Sequence, residues 1–224
     1  MVGDSQHLKD PERNSRINHT QLIRLVVLML DLKIFNKQKL SWNKRYDSFK
    51  NNNSIPWKGN RKNELQPIFD KFNIHSGKAL DIGCGEGDKS CYLSSIGFEV
   101  TGIDISSNAI KTAKRRCKNV DFLEHDIRDI SSLGNNKYDL VLDLLTSHFL
   151  INKDKKDFIQ GCYKILKPNG YYILDTYTSG VNIATPESEV EKLYSDSFEI
   201  LQTKQRKSLY NSGAKLNLYV MKQI

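Results

Sequence analysis

Three alternating glycines form the segment of this sequence best suited to bind a ligand. Gly83, Gly85 and Gly87 follow the apolar run 79–82 and precede a segment with helical character. Glycine tolerates positive φ and lets a ligand approach the backbone closely, whereas a plain turn would need only one glycine. The spacing therefore predicts a ligand-binding loop between a strand and a helix.

The carboxylates beside this loop narrow the class of ligand. The dinucleotide fingerprint G-x-G-x-x-G would require glycine at position 88, where Asp88 stands. Asp81 precedes the loop, and a carboxylate there would repel a pyrophosphate and attract a cationic amino group. Both features favour a nucleoside that lacks phosphates and carries an amino acid.

Two further carboxylates end the next strand-like runs. Asp104 stands 21 residues after Gly83, where the end of a parallel strand could offer acceptors to both ribose hydroxyls. Asp126 could accept from an adenine amino group, with the backbone of Ile127 completing the contact. The alternatives are a favourable helix N-terminal carboxylate for Asp104 and an ordinary loop carboxylate for Asp126.

The elements that must position these residues alternate between strand and helix. This alternation predicts parallel β-α-β units and a doubly wound α/β sheet that is covered on both faces. Predicted strands are Lys78–Ile82, Phe98–Ile103, Val120–Leu123, Tyr138–Leu142, Tyr171–Leu174, Phe198–Thr203 and Leu216–Met221. Predicted helices are Leu40–Lys50, one capped by Asn60 that runs towards Phe72, Asp88–Ile96, one capped by Ser106 that runs through Cys117, Asp154–Leu166, and one opened by Thr185 as cap and Pro186. A turn is predicted at 55–59.

The N-terminal third of the sequence is predicted to form an extension followed by a cap over the main domain. Residues 1–39 are expected to be a partly disordered extension containing the apolar helix Thr20–Phe35, which should be buried or paired. Residues 1–28 are expected to be dispensable. Residues 40–224 form the predicted domain, with 40–75 as its lid, where Trp42 and Tyr46 share one helical face.

The net positive charge of the protein is concentrated in the same N-terminal region. Residues 1–80 carry 15 Lys and Arg against 7 Asp and Glu, whereas the remainder carries 19 of each, so the net charge of +8 lies in the first third. A basic segment of this kind attracts nucleic acid, an acidic membrane or an anionic substrate, or is a solvated tail.

The cysteines and the apolar runs exclude several classes of protein. Cys84, Cys91, Cys117 and Cys162 are spaced by 7, 26 and 45 residues, which predicts free buried thiols and no zinc or redox motif. The longest apolar run, 22–30, is shorter than the roughly 20 residues of a spanning helix. Without a spanning segment or a secretory signal, the sequence predicts a cytoplasmic protein.

The ordered motifs resemble those of class I S-adenosylmethionine-dependent methyltransferases. They read A-L-D-I-G-C-G-E-G at 79–87, G-I-D-I-S at 102–106, L-E-H-D-I at 123–127, Y-D-L-V-L-D at 138–143 and I-L-K-P-N-G-Y-Y-I-L at 165–174, where Asn169 replaces one glycine of the family's motif. The resemblance implies a seven-stranded, mostly parallel Rossmann-like sheet whose last strand is antiparallel. It also implies S-adenosyl-L-methionine as cofactor.

The resemblance assigns cofactor contacts to particular residues. Asp81, Gly83, Cys84 and Gly85 would hold the methionine part, Asp104 the ribose, and Ile105, Asp126 and Ile127 the adenine. The segment Trp42-Asn43-Lys44-Arg45-Tyr46 with Ile55-Pro56-Trp57 is similar to the N-terminal segment of thiopurine- and tellurite-type methyltransferases, in which these aromatics cover the cofactor. The alternative is that the aromatics are core residues.

Residues just past the fourth and fifth strands are the candidates for chemistry. Asp143 could orient the cofactor's amino end or the substrate, and His148 could act as a base or lie on a helix face. Thr146, Thr176 and Tyr177 lie near the same edge. No metal site is predicted.

The acceptor is expected to be a small molecule, because no substrate domain is inserted between the strands. Its reacting atom, sulfur, nitrogen or oxygen, is not resolved. The alternative is an RNA or protein methyltransferase docked through the basic N-terminal region, and a third possibility is a binding protein that lacks catalysis. The chain is expected to be a monomer or a homodimer.

Overall fold

A computed structural model of the protein describes residues 19–52, 62–208 and 213–224. The helices are α1 (His19–Asn52), α2 (Lys62–Phe72), α3 (Asp88–Ser95), α4 (Ser107–Arg116), α5 (Asn152–Ile165) and α6 (Glu187–Tyr194). The strands are β1 (Gly77–Ile82), β2 (Phe98–Asp104), β3 (Asp121–Glu124), β4 (Tyr138–Leu144), β5 (Leu166–Ser179), β6 (Phe198–Lys207) and β7 (Lys215–Gln223). Two 3-10 helices, Ile127–Leu133 and Ser147–Phe149, follow β3 and β4.

The chain divides into two units, residues 1–37 and residues 38–224. In the first unit the described residues, 19–37, belong to α1. Met29 and Ile34 are 59% and 48% exposed there, so these two side chains are not buried within the chain, and pairing of this helix with a partner stays a prediction. The second unit contains the sheet and every residue discussed below.

The seven strands form one sheet in the order β3-β2-β1-β4-β5-β7-β6. Strands β1 to β5 pair with one another in parallel, whereas β7 runs antiparallel to both β5 and β6. The predicted doubly wound α/β fold with an antiparallel last strand is therefore confirmed. The strand order reverses between β1 and β4, and ligands of such sheets bind beyond the carboxyl ends at this point.

Apolar side chains cover the sheet on both faces. One cluster packs α2, α3 and α4 against the sheet and contains Phe69, Leu93 and Phe122. The other packs α5 and α6 against the opposite face and contains Phe158 and Tyr172. The sheet is thus held rigidly between two helical layers, and its carboxyl ends form a fixed platform.

Most predicted elements are confirmed, with shifts at their ends. The Ser106 side chain accepts a hydrogen bond from the Ala109 N–H at 3.2 Å, as expected of an N-cap. Strand β5 starts at Leu166, before the predicted residue, and Asn169 takes the left-handed φ of +66° that the family's glycine would adopt. The two predicted helices before residue 51 are one continuous helix, α1.

Two local predictions are wrong. Thr185 does not cap α6, because Pro186 occupies the N-cap position and the Thr185 hydroxyl instead accepts from Lys155 Nζ at 2.8 Å. The predicted turn at 55–59, with Pro56 and Trp57, and the cap at Asn60 lie outside the described residues.

The cysteines correct the expectation of four free thiols. Cys91 on α3 and Cys117, which follows α4, form a disulfide with their Cα atoms 5.9 Å apart. Cys84 and Cys162 are free and buried. The pairing depends on how α3 and α4 pack, so the spacing of 26 residues could not reveal it.

The described helices include none that is both long and apolar enough to cross a lipid bilayer.

Candidate functional site

A cavity of about 660 Å³ opens beyond the carboxyl ends of the central strands. This volume lies within the roughly 300–1,000 Å³ typical of small-molecule sites. The structure brings together the predicted site residues except Asp143 and Thr176. The predicted residues that line the cavity are Trp42, Tyr46, Asp81, Gly83, Cys84, Gly85, Asp104, Ile105, Asp126, Ile127 and His148.

The glycine loop, residues 83–87, packs its backbone directly against two side chains. Gly83 and Gly85 have φ angles of +64° and +55°. A Cβ at Gly83 would lie 2.1 Å from Thr146 Oγ1, and a Cβ at Gly85 would lie 2.8 Å from the Tyr46 hydroxyl. Both positions therefore require glycine, for the backbone conformation and for space.

Asp104 ends β2 and holds this loop with both carboxylate oxygens. Its Oδ2 accepts from the Gly85 N–H at 2.9 Å, and its Oδ1 accepts from the Ser106 N–H at 2.8 Å. Each oxygen retains a second lone pair, so ligand hydroxyls can still donate to it. Burial raises the pKa of the Asp104 carboxyl to about 6.

Asp81, near the end of β1, is the second buried carboxyl of the cavity. It accepts from the Ser90 hydroxyl at 2.5 Å, and burial raises its pKa to about 6. An opposite charge nearby favours the ionised form of a buried carboxyl. The two carboxyls therefore suit a ligand with a cationic group near β1 and hydroxyls near β2.

Asp126 marks the far edge of the cavity, beside Ile105 and Ile127. Its carboxylate accepts from the Arg128 N–H at 2.9 Å and from Arg128 Nε at 2.9 Å. The charge of Asp126 is therefore balanced by Arg128, while the two isoleucines supply apolar surface for a flat base.

One face of α1 covers the cavity. The lining residues Gln38, Ser41, Trp42, Arg45 and Tyr46 recur at the spacing of a single helical face. Tyr46 is 4% exposed because it lies on the glycine loop. This part of α1 therefore lies where the sequence placed a lid, although residues 53–61 of that lid are outside the described range.

Asn43 joins this helix to the start of α4. Its Oδ1 accepts from the Ser106 hydroxyl at 2.7 Å and from the Asn108 N–H at 3.3 Å. The neighbouring Asp47 accepts from the Asn108 amide at 2.9 Å, and Lys39 pairs with Glu124. Polar contacts thus fix the α1 cover to the segment that follows Asp104.

His148 lies in the 3-10 helix after β4, buried among aromatic rings. Its ring centroid is 4.2 Å from that of Phe149 and 5.5 Å from that of Tyr177. Among the residues described, none forms a hydrogen bond with its Nδ1. Burial, and secondarily the charge of Lys155, lowers the pKa of His148 to about 4, so the imidazole is neutral at neutral pH.

Asp143 does not line the cavity, which corrects the expectation that it contacts cofactor or substrate. Its Oδ1 accepts from the N–H groups of Thr146 and Ser147 at 3.2 and 3.0 Å, and its Oδ2 accepts from the Tyr172 hydroxyl at 2.8 Å. Both oxygens are thereby committed to the turn that follows β4. Burial raises the pKa of Asp143.

Seven lining residues form one set that, apart from Tyr177, could not be found from sequence reasoning. We call them the apolar wall: Leu144, Leu145, Phe149, Leu150, Tyr177, Val181 and Ile183. Of these, the sequence indicated only Tyr177, whereas Thr176, indicated with it, lies outside the cavity lining. Leu145 has a φ of +67°, a strained conformation for leucine that aims this segment into the cavity.

No group of three or more metal-ligating side chains occurs in the part of the chain that the structure describes.

Comparison with known proteins identifies the central part of the chain. Residues 80–174 match the family described as "Methyltransferase domain". The chain is 33% identical over 109 residues to "Putative methyltransferase YqeM" of Bacillus subtilis (strain 168). That match covers 46% of this chain and 43% of the YqeM protein. It is also 27% identical over 131 residues to "Probable S-adenosyl-L-methionine-dependent methyltransferase TehB" of Haemophilus influenzae (strain 10810). That match covers 53% of this chain and 45% of the TehB protein. The matched residues therefore span less than half the length of these relatives.

A solved structure shares the fold. The Burkholderia thailandensis 1,6-didemethyltoxoflavin-N1-methyltransferase, with 1,6-didemethyltoxoflavin and S-adenosylhomocysteine bound, superposes with a TM-score of 0.67 at 15% identity, covering 84% of this chain and 89% of that one. The family match supports the resemblance of residues 80–174 to methyltransferases, and this solved structure shows that the chain shares the fold.

Proposed function

We propose that this chain, whose residues 80–174 match a methyltransferase domain, transfers a methyl group from S-adenosylmethionine to a small-molecule acceptor. The observation that carries the proposal is the single cavity in which two buried carboxyls and a glycine loop lie beneath Trp42 and Tyr46. This arrangement suits a ligand that has a cationic amino acid end, ribose hydroxyls and a flat base.

The residues present fit S-adenosylmethionine part by part. In our proposal Asp81 and the backbone of Gly83, Cys84 and Gly85 bind the amino acid end, and Asp104 accepts from the ribose hydroxyls. Ile105, Asp126 and Ile127 receive the adenine. The bound cofactor supplies an activated methyl group on a positively charged sulfur.

The chain's main contribution to the reaction is alignment and exclusion of water. Holding an acceptor in line with the methyl group can supply roughly 7–11 kcal/mol. The rings of Trp42 and Tyr46, on the covering face of α1, can also attract a nearby cation by about 0.5–2 kcal/mol. The acceptor's lone pair forms the new bond to carbon, the carbon–sulfur bond breaks with its electrons remaining on sulfur, and the acceptor's proton is released.

His148 is the residue that could receive that proton. Its imidazole is neutral and lines the cavity beside the apolar wall. Its low pKa makes it a weak base, which suits a transient proton carrier or an orienting acceptor. In this scheme Asp143 is a positioning residue, because it fixes the turn that carries Thr146 and Ser147 just before His148.

Binding of S-adenosylhomocysteine tests the site. Replacing Asp104 with Ala should weaken binding by about 1–3 kcal/mol in calorimetry, because ribose hydroxyls lose their acceptor in a closed site. Glu99→Ala, an exposed change on the same strand, is the matched control. Unchanged affinity for Asp104→Ala, with an unaltered melting curve, would refute the assignment.

A search for products tests the reaction and the class of acceptor. The protein is incubated with S-adenosylmethionine and a metabolite extract, and mass spectrometry looks for a compound that gains one CH2 unit. The alternative acceptor, RNA or protein, predicts instead methylation of macromolecules, with RNA affinity that falls steeply with salt.

A cytoplasmic location remains a prediction that cell fractionation can test. The disulfide between Cys91 and Cys117 bears on it, because structural disulfides are typical of oxidising compartments.

A further inference from the structure

The cavity is divided into two regions of different charge. Every carboxylate among the described lining residues lies on β1 or β2, or in the segments that follow β1 and β3. These carboxylates are Asp81, Glu86, Asp88, Asp104 and Asp126. The apolar wall, on the other side, contributes no charged side chain, and the lining cation Lys89 stands on the carboxylate side, near Asp81.

Arg45 supplies positive charge to the side of the apolar wall. Residues 43 and 45 of α1 point about 200° apart around the helix axis. Because Asn43 contacts Ser106 and Asn108, Arg45 faces away from the β2 side and toward the wall. Its guanidinium lies 5.0 Å from the centroid of the Trp42 ring, which keeps it at the edge of the cavity.

Aromatic rings form much of the surface near this guanidinium. Trp42 and Phe149 meet edge to face with centroids 5.3 Å apart, and His148 lies between Phe149 and Tyr177. His148 adds no charge because its buried ring is neutral at neutral pH. Such a surface suits a flat apolar ring, which can pack on aromatic faces and edges.

We propose that the methyl acceptor is a planar aromatic compound that carries a carboxylate or a similar anion. This inference rests on the proposed function and specifies its substrate class. The aromatic ring packs on Trp42, Phe149 and Tyr177, and the anion pairs with Arg45. A cationic acceptor is disfavoured, because both Arg45 and the positive sulfur of the cofactor would repel it.

Binding of matched probes to the protein saturated with S-adenosylhomocysteine tests this inference. The probes are 4-hydroxybenzoate, its neutral amide, the cationic tyramine and the non-aromatic cyclohexanecarboxylate, each titrated by calorimetry. We expect 4-hydroxybenzoate to bind at least tenfold more tightly than any of the other three.

Two variants assign the preference to Arg45. In Arg45→Gln the ratio between 4-hydroxybenzoate and its amide should fall to within about twofold of unity, because the ion pair is lost. Lys44→Gln, which removes an adjacent exposed charge outside the cavity lining, should keep the wild-type ratio. Trp42→Leu should weaken binding of both aromatic probes, because the ring on which they pack is lost.

The outcomes separate the substrate class from the proposed function. Equal or tighter binding of the amide or tyramine, binding of none of the probes, or an unchanged ratio in Arg45→Gln would overturn the substrate class. S-Adenosylhomocysteine would still bind in each of those cases. Failure of S-adenosylhomocysteine itself to bind would overturn the proposed function, and this inference with it.

Discussion

Single residues set the charge state of the site. Asp81 and Asp104 are both buried, and burial raises the pKa of each to about 6. A carboxyl that binds a cation or accepts from hydroxyls acts in its ionised form, so ligand binding lowers its pKa and releases a proton. Affinity for S-adenosylmethionine is therefore coupled to pH through these two side chains.

The pH dependence of binding follows from this coupling. Affinity should be nearly constant between pH 7 and 8 and should fall by tenfold or more at pH 5, because both carboxyls are then largely protonated. His148, with its pKa of about 4, does not titrate in this range. Calorimetry across the range, with circular dichroism to verify folding, measures the effect.

Asp81→Asn is the variant that identifies the titrating group. It should bind S-adenosylmethionine more weakly at pH 7.5, and its affinity should change less between pH 7.5 and 5 than that of the wild type. An affinity of the wild-type protein that is independent of pH would contradict the roles proposed for both carboxyls.

At the scale of elements, the site depends on how α1 is attached to α4. Asn43 accepts hydrogen bonds from Ser106 and Asn108 at the start of α4, two and four residues after Asp104. The proposed ribose contact and the cover are thus linked through one short segment. We infer that an occupied ribose site stabilises the cover, which is the lid behaviour expected from the sequence.

Loss of the Asn43 side chain tests this link. Asn43→Ala should increase hydrogen exchange in residues 38–52 and weaken S-adenosylhomocysteine binding by up to about tenfold, because the hydrogen bonds of this side chain with Ser106, Ser107 and Asn108 are removed. Lys44→Ala and a chain that lacks residues 1–28 serve as controls and should resemble the wild type. Exchange in residues 38–52 that responds neither to the ligand nor to Asn43→Ala would show that this helix is merely part of the core.

At the scale of the whole molecule, a covalent link complements the packing of the sheet. The disulfide joins α3, which follows the glycine loop, to the end of α4. Arg116, beside Cys117, also pairs with Asp88 and donates to the Glu86 carbonyl at 3.2 Å. The C-terminal end of α4 is therefore tied to the glycine loop and to the first turn of α3.

Reduction should lower the stability of the protein. Closing a loop of 26 residues in the unfolded chain contributes about 3.5 kcal/mol in the chain-entropy treatment. Chemical denaturation with and without reductant should show a loss of this order in the wild type. The double variant Cys91→Ser/Cys117→Ser should match the reduced wild type and be insensitive to reductant, and a reductant effect that persists in it would contradict the assignment.

The sequence by itself determined the sheet, the glycine loop and the carboxylates at the strand ends. These features are local: the glycines of the loop are required by backbone conformation, and Asp81 and Asp104 stand at or near the ends of strands whose apolar residues define them. The order of these segments along the chain was enough to predict a doubly wound fold, because parallel strands place their carboxyl ends on one edge.

Only the tertiary structure decided which distant side chains meet. In the apolar wall, Phe149 from the turn after β4 lies beside the same cavity as Val181 and Ile183 from the segment after β5. Neither segment carries a periodic pattern of apolar residues that would have revealed this. Asp143 stood at the end of a strand like the others, yet its oxygens turn inward to Tyr172 and the following backbone. These contacts arise from the packing of elements remote in sequence, which residue spacing does not encode.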